Sequence, residues 1–159
     1  MLQEYHNILV PVDGSKEAEL ALHKAVDVAK RNGAHLDVLD VLATQQFEVS
    51  YSSFVDGDVI YKMSEDVKTY LDRLVKEIRE KQNFTDVAIH IRFGNPKTVI
   101  ARDFPAEHKN DLIMIGATGL NAVERVLVGS VASYVNRNAI TDVLVVKTNL
   151  QNEQLQKKA

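Results

Sequence analysis

The stretch Asp111-Leu112-Ile113-Met114-Ile115-Gly116-Ala117-Thr118-Gly119, followed after nine residues by Gly129-Ser130, decides the reading of this chain. Its apolar start reads as a buried strand. Val131-Ala132-Ser133-Tyr134-Val135, after the last glycine, reads as the first turns of a helix. Strand, glycine loop, helix is the arrangement that turns backbone N–H groups toward an anion. Glycines let the backbone take φ > 0 and approach a ligand with no Cβ in the way. The pattern points to a bound phosphate, and from there to a nucleotide. Each glycine also has a plain structural explanation: Gly116 ends a strand, Gly119 sits in a turn, and Gly129 precedes a helix capped by Ser130.

Outward from this stretch, strand-like and helix-like segments alternate. Asn7-Ile8-Leu9-Val10-Pro11-Val12 is an apolar run suited to a strand covered on both faces. From Lys16 to Arg31, Ala18, Ala21, Leu22, Ala25, Val26 and Ala29 recur at helical spacing, with Ser15 as N-cap and Gly33 as the stop. His35 to Ala43 is a second strand. Residues 45–58 show no period and are expected to form a lid or a partner contact. Val67, Tyr70, Leu71, Leu74, Val75 and Ile78 mark a second helix, and Thr85 to Phe93 a half-exposed third strand. Asn95 and Pro96 are placed as N-cap and first residue of a third helix. Phe104-Pro105 is expected to kink or end that helix. A fourth strand, the glycine loop and a helix to about Asn138 follow. Asp142 to Lys147 is a fifth strand, and Gln151 to Ala159 a polar tail expected to fray.

Five strands separated by helices predict a single-domain α/β fold with a parallel sheet. In such a sheet ligands bind beyond the carboxyl ends of the strands, where strand order reverses. Asp13 ends the first strand and Gly116 the fourth, so two distant features converge on one cleft. Asp13 is suited either to a ribose hydroxyl or a phosphate-bound magnesium ion, or simply to capping the first helix with Ser15. Asp40 is expected near the sheet's edge rather than facing the cleft. Arg125 is expected on a solvated face beside Glu124. Leu120, Ala122, Val123, Val126, Leu127 and Val128 are expected to pack.

The chain has 159 residues, 45% of them apolar and 26% charged, with net charge −3 and no cysteine. The charge argues against general nucleic-acid affinity. The missing cysteines exclude disulfides, thiolate metal sites and cysteine nucleophiles. No apolar run approaches the ~18 residues of a membrane span. No basic leader precedes the first strand, and the expected compartment is the cytoplasm. The loop is not a Walker A motif, because Ser130-Val131 follows its last glycine. Nor is it a Rossmann fingerprint, whose three glycines lie within six residues. There is no Gly-x-Ser-x-Gly elbow. His6, His23, His35, His90 and His108 lack metal-ligand spacing and are expected on surfaces or strand edges. No catalytic residue is assigned.

Together these residues resemble the ATP-binding members of the universal stress protein family. Gly116, Gly119, Gly129 and Ser130 match that group's Gly-x-x-Gly, nine residues, Gly-Ser/Thr pattern without a gap. Val10-Pro11-Val12-Asp13-Gly14-Ser15 resembles its opening segment, and Asp142 to Lys147 its last strand. The resemblance implies a universal stress protein domain over residues 1–148, with 149–159 as the tail. It implies an open sheet of order 3-2-1-4-5, helices on both faces, in the manner of adenine nucleotide alpha hydrolases. It further implies that ATP, or ADP or AMP, sits at the ends of the first and fourth strands. Pro11, Val12 and Asp13 would line the ribose and adenine side, and Val41 would meet adenine through its backbone. Gly116, Thr118, Gly119, Gly129, Ser130 and Val131 would hold ribose and phosphates, with Ala132 standing where a hydroxyl residue often adds a contact. Asp40 stands where histidine is frequent. The resemblance also implies a stress-response switch that forms a homodimer through Val143 to Val146. A phosphate-transfer enzyme and a nucleotide-free dimerisation module remain as alternatives. The Ser-Gly-Gly-x-Asp-Ser motif of pyrophosphatase-type relatives is absent after the first strand.

Overall fold

The computed structural model describes residues 2–43, 57–120 and 128–155. The first strand, β1 (Asn7–Pro11), is followed by α1 (Lys16–Asn32), β2 (His35–Ala43), α2 (Gly57–Gln82) and β3 (Val87–Gly94). Next comes α3, which runs from Pro96–Thr98 through a π-helical segment, Val99–Asp103, into Phe104–His108. The chain continues with β4 (Leu112–Gly116), α4 (Ser130–Asn138) and β5 (Asp142–Val146). The five strands form one parallel sheet in the order β3-β2-β1-β4-β5, as expected. The segment expected as lid or partner contact lies outside the described residues, except Gly57 and Asp58, which begin α2.

The pleat explains why the strands read as continuous apolar runs. Ile8, Val10, Leu36, Val38 and Met114 point to one face, where Leu22 and Val26 of α1 and Leu71 and Ile78 of α2 cover them. Leu9, Leu39, Ile113 and Ile115 point to the other, under Ile100 and Phe104 of α3 and Val135 of α4. Both faces are buried, so no polar alternation survives in β1 or β4.

The ends of α1 follow the sequence. Ser15 Oγ accepts the N–H of Ala18 at 3.2 Å, and Gly33 closes the helix with φ 65°. Ser15→Ala is expected to cost about 1 kcal/mol, read by urea unfolding. A loss under about 0.3 kcal/mol would mean that the cap contributes nothing.

The third helix does not end at Phe104-Pro105; it continues to His108. Pro105 has no N–H to donate, and its ring would collide with the carbonyl four residues back, that of Ala101. The π-helical segment widens the turn, and Phe104 N–H reaches back to Val99 O. The released Ala101 carbonyl accepts the N–H of Ile140 at 3.1 Å. Local sequence names the proline but not this distant donor.

The tail begins ordered rather than frayed. Thr148 pairs with Gln154, Asn149 Oδ1 accepts the N–H groups of Gln151 and Glu153, and Lys24 Nζ donates to Thr148 and Asn152. No helix among the described residues is long and apolar enough to cross a membrane.

Candidate functional site

β1 sits between β2 and β4, and the chain leaves β1 and β4 toward opposite faces of the sheet, through α1 and α4. Their carboxyl ends therefore part and leave a crevice. A cleft of about 240 Å³ lies there. All eleven residues singled out from the sequence line it: Pro11, Val12, Asp13, Val41, Gly116, Thr118, Gly119, Gly129, Ser130, Val131 and Ala132. Leu39, Ile115, Pro96, Ile100, Ala18, Ala117 and Leu120 line it as well and were not singled out. The pleat was the available signal for Leu39, which shares a face of β2 with Val41. Pro96 and Ile100 arrive with α3, whose placement over the sheet no local pattern encodes.

The three loop glycines stand in three different surroundings, and none has a positive φ. Positive φ occurs instead at Gly14, Gly33 and Gly94. At Gly116 a Cβ would lie 2.8 Å from the backbone of Glu17, so the close approach of α1 to β4 excludes any side chain. At Gly119 a Cβ would fall on the carboxylate of Asp13. At Gly129 a Cβ would meet only ordinary contacts, the nearest being Ala117 O at 3.5 Å, and φ is −69°. Neither backbone strain nor packing against the described residues demands glycine there.

Gly129, not Ser130, is the N-cap of α4, and Ser130 is its first helical residue. The Ser130 hydroxyl therefore does not cap the helix. The first intrahelical bond runs from Ser133 N–H to Gly129 O at 2.9 Å. The N–H groups of Ser130, Val131 and Ala132 have no acceptor among the described residues, and all three residues line the cleft. The loop is held from behind, with Gly129 N–H on Ala117 O at 2.6 Å and Ala117 N–H on Val146 O at 3.0 Å. The helix dipole adds positive potential at the same point.

Asp13 supports the start of α1, one of the two readings given for it. Its Oδ1 accepts the N–H of Ser15 at 3.0 Å, beside the Ser15 cap, and its Oδ2 accepts the N–H of Leu120 at 3.1 Å. Leu120, expected to pack, is 66% exposed and borders the cleft. Val128 does pack, against the α3–α4 core. Arg125, Ala122, Val123, Val126 and Leu127 lie outside the described residues. No group of three His, Asp or Glu side chains among the described residues is placed to hold a metal ion.

Asp40 is neither at an edge nor in the cleft. Its strand is interior to the sheet, and the pleat turns it to the α1–α2 side with Leu36 and Val38. It is 8% exposed, and no described residue donates a hydrogen bond to it. Burial, and then the negative charge of Asp13, push its carboxyl up to about 6.

The match of the family model described as the universal stress protein family extends over residues 4–147. The chain belongs to that family. A Staphylococcus haemolyticus protein classed with the universal stress proteins is 43% identical over 147 residues, 91% of this chain and 86% of that one. Among solved structures, the universal stress protein UspA from Lactobacillus plantarum is 34% identical with a TM-score of 0.68, covering 91% of this chain and 99% of its own. A universal stress protein from Archaeoglobus fulgidus, solved in complex with dAMP, is 26% identical with a TM-score of 0.62 over 91% of this chain and all of its own.

Toward the amino ends of the strands, this universal stress protein carries a second polar cluster, which the sequence reading missed. Asp37, 3% exposed, accepts from His90 Nε2 at 2.7 Å and Asn110 Nδ2 at 2.9 Å, with His35 Nε2 at 3.3 Å. Burial opposes its ionisation, but these hydrogen bonds and the His35 charge outweigh burial and hold the carboxyl below its ordinary range. His90 and His108 pack on the ring of Phe104, the latter stacked at 3.8 Å. His90 stands on the edge strand β3, and with His108 it fastens α3 to β2 and β3.

Proposed function

We propose that the cleft binds an adenine nucleotide, ATP foremost, and that the protein works as a nucleotide-dependent switch in a stress response. The observation that carries this reading is Gly129. Nothing among the described residues requires glycine there, yet the position stands against three N–H groups at a helix N-terminus with no acceptor among those residues. A phosphate is the group that needs both the donors and the missing side chain. The Ser130 hydroxyl adds a further donor. Apolar Val12, Leu39, Ile100 and Ile115 make the inner wall suited to a base, with the backbone of Val41 at its rim. The Archaeoglobus relative in complex with dAMP supports the adenine assignment.

Binding rather than turnover fits the lining. Its polar side chains among the described residues are the hydroxyls of Thr118 and Ser130 and the carboxylate of Asp13. Each Asp13 oxygen accepts one backbone N–H group and keeps a lone pair for a ribose hydroxyl or a phosphate-bound magnesium ion. In this reading magnesium accompanies the phosphates. The reading includes a homodimer, paired through β5 in the cytoplasm. β5 is an edge strand, Leu144 is 42% exposed and Ile140 59% exposed. An apolar edge of this kind is an aggregation liability unless a symmetry mate covers it.

The test is direct. Purified protein, denatured without added nucleotide, is expected to release near-stoichiometric ATP or ADP, separated by ion exchange and detected by absorbance. Absence of nucleotide together with silent calorimetry on magnesium-ATP would end this reading and leave a dimerisation module.

A further inference from the structure

We propose that Lys97, the second residue of α3, sets the preference of the cleft for a nucleotide with more than one phosphate. Its ammonium pairs with the terminal phosphates of a nucleotide whose phosphate chain ends at the amino end of α4. This rests on the adenine-nucleotide reading above and names a residue that decides which adenine nucleotide the site prefers.

The chain reaches Lys97 through a turn that leaves little freedom. Gly94 has φ 145°, a conformation strained for any side chain, and a Cβ there would stand 3.3 Å from Val99 Cγ2. Asn95 Oδ1 then accepts the N–H of Lys97 at 3.0 Å, and Pro96, with its fixed φ, starts the helix. Pro96 and, one turn later, Ile100 line the cleft. The same first turn packs on α4, where Cα atoms of Pro96–Thr98 come within 8 Å of those of the helix. Lys97 thus belongs to a turn that borders both the apolar wall of the cleft and the helix whose leading N–H groups await a phosphate.

Charge gives that position its use. No Lys or Arg is among the described residues that line the cleft, and the one carboxylate there is that of Asp13. The N–H groups of α4 and the hydroxyls of Thr118 and Ser130 are neutral donors. Each added phosphate brings negative charge that neutral donors hold less strongly than a cation does. Lys97 is half-buried, and its ammonium makes no hydrogen bond or ion pair with a described residue. Other cations are occupied: Arg73 pairs with Glu19 and Glu77, Arg92 with Glu107, and Lys24 donates to Thr148 and Asn152. The backbone N–H of Lys97 is taken by Asn95, so the ammonium is what this residue has left to offer a ligand. It rides on a flexible four-carbon stem with three donors, suited to a phosphate chain that extends past the helix end.

The experiment measures AMP and ATP affinity by calorimetry, in buffer containing magnesium, for wild type, Lys97→Met, Lys97→Arg and Lys81→Met. Each is checked for folding by circular dichroism. Methionine keeps an apolar stem and removes the charge. Lys81 is exposed near the far end of α2, so its substitution reports the effect of net charge alone. Lys97→Met is expected to weaken ATP by roughly fivefold to tenfold and AMP by less than about twofold. Lys97→Arg is expected to keep the ATP-to-AMP ratio within about twofold of wild type, and Lys81→Met to leave it unchanged. The ATP loss in Lys97→Met is expected to shrink as salt rises from about 0.05 to 0.5 M, which lost packing would not do. An unchanged ratio in Lys97→Met, or a ratio lowered equally by Lys81→Met, would overturn the proposal and leave the nucleotide reading standing. Equal weakening of AMP and ATP would overturn it too, because Lys97 would then act through the packing of α3. Wild type silent toward both nucleotides would remove the nucleotide reading and this proposal together.

Discussion

Gly129→Glu is expected to lower ATP affinity by at least about a hundredfold while the fold and the oligomeric state stay as they are. The separation of the two effects comes from the surroundings of Gly129. Its φ of −69° suits any residue, and a Cβ would meet Ala117 O at 3.5 Å and the Thr118 Cα at 3.6 Å, both ordinary contacts. The substituted chain therefore has room to form the same loop. What it places there is a carboxylate against the unpartnered N–H groups of Ser130, Val131 and Ala132. It satisfies donors meant for a phosphate and repels the phosphate by charge. A thermal midpoint within a few degrees of wild type, with calorimetry at the detection limit, is the expected pair of results. Mass from light scattering should not change, since Gly129 lines the cleft and not the outer edge of β5. Gly129→Ala separates size from charge and should lose far less affinity. Unchanged affinity in Gly129→Glu would remove the loop from the site.

Asp40→Asn is expected to stabilise the protein near neutral pH by on the order of 2–3 kcal/mol, and to have little effect near pH 4. The native carboxyl titrates at about 6, against an ordinary value of 3.8. A raised carboxyl pKa means the native state holds its proton more tightly than the unfolded chain. Below pH 3.8 both states are protonated and Asp40 imposes no penalty. As pH rises toward 6 the unfolded chain loses its proton first, so stability falls. Above 6 the native state carries a buried charge with Asp13 nearby, and the full penalty applies. The amide cannot ionise, so the difference between the two proteins should open between pH 4 and 7. Urea unfolding at pH 4.5 and 7.5 measures it. Equal stability at both pH values, or a less stable variant at 7.5, would show that the carboxylate is compensated in the native state. Asp37 will contribute the opposite slope, because its carboxyl is held below the ordinary range. Subtracting wild type from variant at each pH removes that common term.

The parts of the molecule that could be read from sequence are those encoded by neighbours in the chain. The strands stood out because both faces of β1 and β4 are buried, which leaves unbroken apolar runs. The caps at Ser15, Gly33 and Asn95 are local chemistry, and each occurs where the residue types place it. The convergence of Asp13 and Gly116 follows from topology once five alternating strands are recognised. The failures all involve a partner elsewhere in the chain. Pro105, expected to kink or end the helix, distorts it into a π-helical turn without ending it, and Ile140 N–H donates to the displaced carbonyl. Asp40 was misplaced because the run His35 to Ala43 does not say which face of which interior strand it occupies. Asp37, His90 and Asn110 come from β2, β3 and the turn before β4, and no spacing links them. The glycines were recognised as special, but sequence does not distinguish the one crowded by α1 from the one crowded by a carboxylate, or either from the one left open.

The hydrogen bond from Ile140 to Ala101 also bears on the order in which this chain can mature. Until the residues before β5 are in place, the widened turn of α3 has a carbonyl that only water can satisfy, and the donor that completes the turn comes from Ile140. A proline in the middle of the protein thereby makes the closing of its third helix depend on the arrival of its C-terminal strand.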